Sequence, residues 1–314
     1  MKSMPVIKPP RLSQGKTFGI IAPASPGQGE DCAAGLQWLT AQGFTVRTGS
    51  TVCQQYGYLA ARDEDRAADL HEMFANPDVD GIVCLRGGYG TMRLLELIDY
   101  ELIRQNPKVF VGYSDITALH TAINQRTGLI TFHGPMVESD MKQDMPAYTG
   151  DHFLQAISSD QPLGLIDPPQ EQRQRFITGG SAEGRLAGGN LSIIAAMMGT
   201  PYELDTEGKI LCLEDVGEAP YRIDRMLTQL LLAGKLQSAA GIVVDVFSYC
   251  DEEGRPGSFT VEEVLTERLG GLEKPVLINV MFGHTPVKAT LPFGAKARLG
   301  NEGGGLVIIE TATS

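Results

Sequence analysis

The sequence has few basic residues and no cluster of them. Its 314 residues include 26 lysines and arginines against 38 aspartates and glutamates, which gives a formal net charge of −12. Nucleic acids and anionic membrane surfaces are bound through basic patches. We therefore expect neither of them as a main partner.

Long hydrophobic runs are also missing. No apolar stretch approaches the roughly 20 residues that a membrane-spanning helix requires. Residues 1–12 are polar and rich in proline, without the apolar core of a signal peptide. These absences predict a cytoplasmic protein.

Cysteine is scarce and follows no pattern. The five cysteines are scattered, with no Cys-x-x-Cys pair and no spacing of cysteine and histidine that is typical of metal ligands. Cys84 and Cys212 lie inside apolar runs, where a reduced cysteine packs as a small core side chain. We therefore expect no catalytic or metal-binding cysteine.

The first half of the chain alternates short apolar runs with helical patterns, which indicates a parallel α/β sheet over residues 1–157. The predicted strands are 18–22, 44–47, 81–85, 109–111 and 129–132, and the predicted helices are 31–42, 62–75, 91–104 and 115–126. Ligands of such sheets bind beyond the carboxyl ends of the strands. We expect the functional site there.

Residues 158–184 differ in character because they are rich in proline, glutamine and glycine. This composition favours a linker or an irregular crossing. Over residues 185–314 the pattern is mixed, which predicts a second, C-terminal domain. Its predicted elements are strands at 209–214, 241–246 and 275–280, helices at 221–233 and 261–269, and short β segments between 287 and 309.

Ser114 lies in the segment Val-Phe-Val-Gly-Tyr-Ser-Asp-Ile-Thr at 109–117, on a corner between a predicted strand and a helix. Several hydrolase families expose a nucleophilic serine in this way, and the helix N-terminus adds N–H groups and partial positive charge. Serine is also a preferred N-cap, so the corner alone leaves both interpretations open. Ile116 replaces the second glycine of the Gly-x-Ser-x-Gly elbow, which indicates a fold other than the α/β-hydrolase fold.

The sequence Arg-Gly-Gly-Tyr-Gly at 86–90 follows another apolar strand. Its three glycines allow the backbone to approach a ligand closely and to direct N–H groups at an anion. The spacing fits neither the dinucleotide fingerprint nor a phosphate loop. A donor loop for an oxyanion and a simple glycine turn remain as interpretations.

Two later strand ends carry residues that could assist such a serine. Glu214 ends an apolar strand and could orient a histidine, although Asp215 and Glu218 are alternatives on spacing. His284 follows a further strand, and His133 lies at a strand end close to the serine corner. As candidates for the general base, His284 and His133 rank equally on sequence.

Six motifs, in this order and spacing, resemble those of the LD-carboxypeptidases of murein recycling. This serine peptidase family also includes the microcin C immunity hydrolases. The resemblance spans about residues 16–310 and depends on the whole set. The motifs are Arg-Gly-Gly-Tyr-Gly (86–90), Gly-Tyr-Ser-Asp-Ile-Thr (112–117), Phe-His-Gly-Pro (132–135), Gly-Gly-Asn-Leu (188–191), Leu-Glu-Asp (213–215) and Gly-His (283–284).

The resemblance implies a fold and a triad. The fold would be an N-terminal, mostly parallel α/β sheet domain joined to a C-terminal mixed domain with a small β-barrel-like sheet. Ser114 would be the nucleophile, His284 the general base, and Glu214 the residue that orients His284. The backbone N–H groups of Gly88 and Asp115 would form the oxyanion hole.

The resemblance also implies a substrate and an assembly. A murein tetrapeptide would lose its terminal D-alanine through an acyl-enzyme, without a metal or cofactor, and the protein would be a homodimer. Arg86 is a candidate for binding the substrate carboxylate, or else forms a structural ion pair.

Two other functions stay open. A hydrolase of peptidyl-nucleotide antibiotics would need an aromatic platform before the second domain, where residues 171–180 offer only Phe176; the single tryptophan, Trp38, lies far upstream. A non-catalytic ligand-binding module could also retain this fold. The intact set of candidate triad residues argues against that module.

Overall fold

The computed structural model of the protein describes residues 4–169, 173–251, 257–302 and 304–314. Residues 170–172 of the predicted linker lie outside these ranges. The described chain forms two sheets with helices packed on them. None of the helices in this part of the chain combines the length and apolar character needed to cross a membrane.

The first sheet has six strands and is parallel except at one edge. In space the strands follow the order β12-β5-β4-β3-β1-β2, and only β12 runs antiparallel to its neighbour. The central strands are buried along their whole length, as the continuous apolar runs of a parallel sheet require. The strands are β1 (Thr17–Ile21), β2 (Thr45–Thr48), β3 (Gly81–Cys84), β4 (Val109–Gly112), β5 (Thr131–His133) and β12 (Leu291–Phe293).

The helices of this half largely match the predicted ones. They are α1 (Glu30–Ala41), α2 (Asp63–Ala75), α3 (Tyr100–Gln105), α4 (Thr117–Thr127) and α5 (Ala147–Ser158), with 3-10 turns at Thr91–Leu94 and Ser114–Ile116. Helix α5 was not predicted.

The predicted continuous helix at 91–104 was wrong. The Leu95 carbonyl accepts hydrogen bonds from the hydroxyls of Tyr100 and Tyr202, at 2.8 and 2.9 Å, whereas a helix would pair it with a backbone N–H. Asp99 then caps a new helix, because its carboxylate accepts from the Leu102 N–H at 3.0 Å. Tyr100, within the segment, and Tyr202, far along the chain, therefore both bond to the carbonyl at which the predicted helix is interrupted.

The second sheet has eight strands in the order β6-β14-β13-β8-β9-β10-β11-β7. Strands β8 to β11 are parallel and the outer strands are antiparallel. The strands are β6 (Gly164–Leu165), β7 (Arg175–Thr178), β8 (Ser181–Asn190), β9 (Ile210–Glu214), β10 (Gly241–Val244), β11 (Val276–Ile278), β13 (Lys296–Gly300) and β14 (Gly305–Ile308); the helices are α6 (Leu191–Met197), α7 (Pro220–Leu232), α8 (Lys235–Ser238) and α9 (Val261–Leu269).

Two features of this sheet differ from expectation. Its edge strands β6 and β7 do not pair with each other in the described chain, so the sheet is mixed and open, without the closure of a barrel. The segment 158–184 was expected to be irregular, yet it supplies β6, β7 and the start of β8.

Strand β12 returns from the C-terminal half to pair with β5. The division into domains 1–157 and 185–314 stays a prediction.

The carboxyl ends of the two sheets meet at the start of α4. The Asn190 N–H, at the end of β8, donates to the Thr117 hydroxyl at 2.9 Å. A Cβ atom at Gly189 would lie 2.4 Å from the same hydroxyl, so the close approach requires glycine. Since Asn190 pairs in register with Glu214, this contact brings the end of β9 beside the serine corner.

Candidate active site

Ser114 occupies a strained corner at the end of β4. Its φ of 63° lies in the left-handed region, which is costly for a residue with a Cβ and is common at functional sites. The flanking residues Tyr113 and Asp115 are buried, while Ser114 is partly exposed. Neither the 3-10 turn nor α4 has a side-chain cap. The geometry therefore favours an exposed nucleophile over an N-cap.

The glycine-rich loop after β3 lies directly against this serine. A Cβ atom at Gly87 would lie 3.1 Å from Ser114 Oγ. The Gly88 N–H donates no hydrogen bond to a described residue, and the Asp115 N–H, in a first helical turn, has no partner within its helix. Two N–H groups are thus available close to the serine hydroxyl.

Three contacts hold this loop in place. The Asp115 carboxylate accepts from the Thr91 N–H at 2.9 Å, and the Thr91 hydroxyl donates to the Asp115 carbonyl. The hydroxyl of Ser25, in the segment after β1, accepts from the Tyr89 N–H at 3.2 Å. The fully buried Arg66 guanidinium donates to the carbonyl oxygens of Pro23 and Gly90.

Sequence reasoning missed Arg66 and Ser25. The sequence does contain a signal for Arg66. Its spacing from Leu70 and Met73 places it on the buried, apolar face of helix α2. A charged residue in such a position is buried only when it is paired.

Glu214 and His284 form a close pair. His284 Nδ1 lies 2.6 Å from Glu214 Oε2. The Glu214 side chain is completely buried, whereas that of His284 is 18% exposed. The other Glu214 oxygen has no hydrogen-bond partner among the described residues. The carboxylate therefore orients the imidazole through Nδ1 and leaves Nε2 for another group.

The other two carboxylates considered for this role have different partners. Asp215 accepts from the Asn190 side chain at 3.1 Å and from the Ser192 N–H and hydroxyl at 2.9 and 2.7 Å. Glu218 forms a surface ion pair with Arg222 at 3.3 Å. Only Glu214 contacts a histidine.

Asp245 fixes the backbone before His284, and sequence reasoning missed it. Its buried carboxylate accepts from the Gly283 N–H at 2.7 Å and from the Phe282 N–H at 3.3 Å. A Cβ atom at Gly283 would lie 2.6 Å from oxygens of both Asp245 and Glu214, so this position requires glycine. Burial and the neighbouring Glu214 raise the pKa of Asp245 well above its usual value.

His133 lies in a different environment. It is completely buried, and its ring centroid lies 5.9 Å from that of Tyr113 and 5.1 Å from that of Phe293. Burial, with a smaller contribution from His120, lowers the pKa of His133 well below its usual value. A neutral, enclosed imidazole packed among aromatic rings is poorly placed to take up a proton during turnover.

A buried ion pair lies against the side chain that links Ser114 and His284. Lys288 Nζ lies 2.5 Å from Asp140 Oδ1, with the lysine side chain only 3% exposed. The same ammonium lies 4.2 Å from the centroid of the Tyr113 ring, and that ring packs edge-to-face against His284 at 4.9 Å. Tyr113 directly precedes Ser114 in the chain. The Lys288–Asp140 ion pair therefore packs, through the Tyr113 ring, next to both Ser114 and His284.

We expect the Lys288→Met variant to be less stable by about 3–5 kcal/mol, because it leaves the Asp140 carboxylate buried without its cation. Urea unfolding followed by circular dichroism measures the loss. The double variant with Asp140→Asn is the matched control and should recover part of it. Additive losses in the double variant would show that the two side chains do not stabilise each other.

Arg86 is only loosely held by the protein. Its Nη1 atom lies 3.6 Å from Glu138 Oε1 and 3.5 Å from the Pro26 carbonyl oxygen. Its Nε atom is buried and has no hydrogen-bond partner among the described residues. The side chain as a whole is 27% exposed, so part of the guanidinium is accessible beside the loop at 87–90.

The parts of a serine hydrolase are present. They are a partly exposed serine on a strained strand–helix corner, an adjacent glycine loop with available N–H groups, and a partly exposed imidazole held by a buried carboxylate. In the described part of the chain, no group of three or more histidine, cysteine, aspartate or glutamate residues is arranged to hold a metal ion.

Comparison with known proteins gives the family. The LD-carboxypeptidase N-terminal domain matches residues 18–134 and its C-terminal domain matches residues 183–299. The chain is 43% identical to the probable murein peptide carboxypeptidase of Bacillus subtilis, over 98% of this chain and 95% of that protein. It is 33% identical to the murein tetrapeptide carboxypeptidase of Pseudomonas aeruginosa, over 89% and 92%.

Two solved structures resemble this chain over nearly its whole length. The muramoyltetrapeptide carboxypeptidase from Oxalobacter formigenes has a TM-score of 0.85 and 34% identity, over 95% of this chain and all of that one. The microcin C7 self-immunity protein MccF has a TM-score of 0.89 and 26% identity, over 98% and 100%. The chain belongs to the LD-carboxypeptidase family of serine peptidases, and it is a carboxypeptidase of the serine type.

Proposed function

We propose that this protein removes the terminal D-alanine from L,D-tetrapeptides derived from murein. The observation that carries the proposal is the contact of the buried Glu214 with the partly exposed His284, 2.6 Å between Oε2 and Nδ1, at the junction that carries the strained, partly exposed Ser114. The names of two relatives, the murein tetrapeptide carboxypeptidase and the muramoyltetrapeptide carboxypeptidase, supply the substrate class.

The proposed mechanism is acyl transfer. Glu214 holds Nδ1 of His284, and Nε2 takes the proton of Ser114 as its Oγ attacks the carbonyl carbon of the scissile amide. The resulting oxyanion accepts hydrogen bonds from the N–H groups of Gly88 and Asp115, each typically worth roughly 3–4 kcal/mol in the transition state.

Collapse of this intermediate breaks the C–N bond. Nε2 of His284 returns its proton to the departing D-alanine amine, and the acyl group stays on Ser114 as an ester. Water then attacks the carbonyl carbon of the ester and gives a proton to Nε2 of His284, and the C–Oγ bond breaks as Nε2 passes that proton to Ser114 Oγ. The tripeptide acid leaves, and the serine hydroxyl is restored.

An exopeptidase must also recognise a free terminal carboxylate. We assign this role to Arg86, because it directly precedes the loop against Ser114 and its guanidinium contacts Glu138 and Pro26 of the described chain at distances of 3.6 and 3.5 Å. A guanidinium binds a carboxylate through two parallel hydrogen bonds, which fixes the end of the peptide as well as its charge.

Compartment and assembly belong to the same proposal. The net charge of −12 suits a cytoplasmic enzyme that takes up soluble peptides in murein recycling. By resemblance to the family, we further propose a homodimer and retain the division into domains at 1–157 and 185–314.

A second candidate function is hydrolysis of a peptidyl-nucleotide antibiotic, because the MccF fold is so similar. MccF has been solved with aspartyl sulfamoyl adenosine. The one aromatic residue at 173–180 is Phe176, which lies in β7 and packs against the core of the second sheet. Such a side chain offers no platform for a base, and we therefore favour the murein peptide.

We expect the enzyme to release D-alanine from the free L,D-tetrapeptide and to cleave the D-alanyl-D-alanine bond of the pentapeptide at least about a hundredfold more slowly. The donors and the base are fixed, so inverting the α-carbon on the acyl side displaces the carbonyl, and even 1 Å costs on the order of a hundredfold. Mass spectrometry of the products gives both rates. Equal rates would exclude LD specificity.

The role of Arg86 is tested on the same tetrapeptide with its terminal carboxylate amidated. Amidation should lower kcat/KM of the wild type by about tenfold or more, because it removes a charge-assisted hydrogen bond. In the Arg86→Gln variant, the acid and the amide should be cleaved with similar kcat/KM. A variant that still distinguishes the two substrates as the wild type does would assign the carboxylate to another residue.

A further inference from the structure

Two exposed tyrosines form a pair on the glycine-rich loop and the segment packed against it. Tyr58 and Tyr89 are 65% and 50% exposed, and their rings meet edge-to-face with centroids 5.6 Å apart. Tyr56, two residues before Tyr58, is 48% exposed. Exposed aromatic side chains that group together mark binding surfaces more often than isolated ones do. No step of the proposed mechanism uses these rings.

The pair is anchored to the loop that contacts the serine. Tyr89 follows Gly87 by two residues, a span of at most about 7 Å, and its N–H is held by Ser25 Oγ. A Cβ atom at Gly90 would lie 2.5 Å from Leu59 Cδ2, so the segment that carries Tyr58 packs directly on the same loop. The backbone that carries both tyrosines is therefore held on the loop that contacts Ser114.

Charged side chains of both signs lie near the rings. The Arg62 guanidinium lies 4.8 Å from the centroid of the Tyr56 ring, and the half-exposed Arg93 forms an ion pair with Asp63 at 2.8 Å. A tyrosine offers a flat apolar face and a hydroxyl that exchanges hydrogen bonds. This combination suits a ligand with an apolar ring face and a polar edge, which is the chemistry of a sugar.

Geometry decides which part of the substrate can reach the pair. The leaving group is one residue that ends in a carboxylate, so any longer part of the substrate extends on the acyl side. Three extended residues span roughly 10–11 Å, and the Cα atom of Tyr89 lies at most about 7 Å from that of Gly87, before the length of its side chain is added. A relative's name, muramoyltetrapeptide carboxypeptidase, describes a peptide that carries an amino sugar at its other end.

We propose that Tyr58 and Tyr89 form a subsite for the N-acetylated amino sugar at the N-terminal end of the murein peptide. This inference rests on the proposed function and extends it to the substrate's far end. The sugar is bound equally in the ground state and the transition state, so the subsite acts on KM and leaves kcat nearly unchanged.

The test compares the muramoyl-tetrapeptide with the free tetrapeptide. The ratio of their kcat/KM values should fall about tenfold in the Tyr58→Ala, Tyr89→Ala double variant, through KM of the sugar-bearing substrate. The matched control is the Tyr58→Phe, Tyr89→Phe double variant, which keeps both rings and should keep most of the ratio. Tyr58→Ala alone, outside the glycine loop, should lower the ratio in the same direction.

The results that would contradict the sugar subsite differ from those that would contradict the proposed function. An unchanged ratio in the alanine variants, or an equal loss on both substrates, would overturn the sugar subsite. If the wild type released D-alanine from neither substrate, the proposed function would fail instead. The subsite would then be tested by calorimetric titration with a muramoyl dipeptide, where equal affinity of wild type and alanine variants would overturn it.

Discussion

Ser114→Ala is expected to abolish turnover, with kcat reduced by a factor of roughly 10⁴ or more and the fold intact. Loss of the hydroxyl removes the atom that forms the acyl-enzyme, and deletions of a triad nucleophile have effects of this order. Alanine meets the same backbone strain as serine at a φ of 63°, so the free energy of unfolding should change little. D-alanine release and thermal unfolding measure the two quantities.

The control for this variant is Ser13→Ala, at an exposed position before β1. It should match the wild type in both measurements. A serine-directed fluorophosphonate should label the wild type and the control but not Ser114→Ala. Activity of Ser114→Ala within about tenfold of wild type would remove Ser114 from the mechanism.

The strands around this serine could be predicted because buried parallel strands are continuous apolar runs that end in small or polar residues. Val109–Gly112 and Gly81–Cys84 are of this type, and both were predicted to within one residue. Their polar ends then converge because parallel strands present their carboxyl ends at one edge. Local pattern and topology agree in this part of the chain.

The open second sheet and the split helix at 91–104 could not be predicted in this way. The helix is interrupted at Leu95. The hydroxyl of Tyr202, more than a hundred residues further along the chain, donates a hydrogen bond to the Leu95 carbonyl. Strand β12 leaves the second half of the chain to complete the first sheet. Both depend on contacts between distant segments, which no local periodicity records.

The buried charges near the site were also missed. Lys288, Asp245 and Arg66 are polar residues that sequence patterns assign to the surface, yet each is buried with specific partners. Burial of a charge is favourable only when a partner is present. Asp140 and the Phe282–Gly283 backbone lie far along the chain from Lys288 and Asp245, so no local pattern indicates these partners. Arg66 differs, because it also pairs with Asp63 of its own helix and lies on the apolar face of that helix.

The same limit applies to the choice of base, where sequence ranked His284 and His133 equally. Only the folded chain shows that His284 contacts Glu214, while His133 packs among the rings of Tyr113 and Phe293. We therefore expect His284→Ala to lose activity by a factor of roughly 10⁴ or more. Without the imidazole, nothing near Glu214 takes the proton from Ser114.

His133→Leu is the matched comparison, because leucine has a similar volume and suits an apolar, fully buried site. Burial holds the pKa of His133 well below its usual value. The His133→Leu substitution therefore exchanges an uncharged imidazole for an uncharged leucine side chain. Activity should stay within about tenfold of wild type, and the free energy of unfolding should change by less than about 1.5 kcal/mol. If His133→Leu lost activity while His284→Ala retained it, the general base would be His133. Loss in both variants, with His133→Leu still folded, would make His133 a second residue that the reaction requires, acting through the Tyr113 ring that it shares with His284.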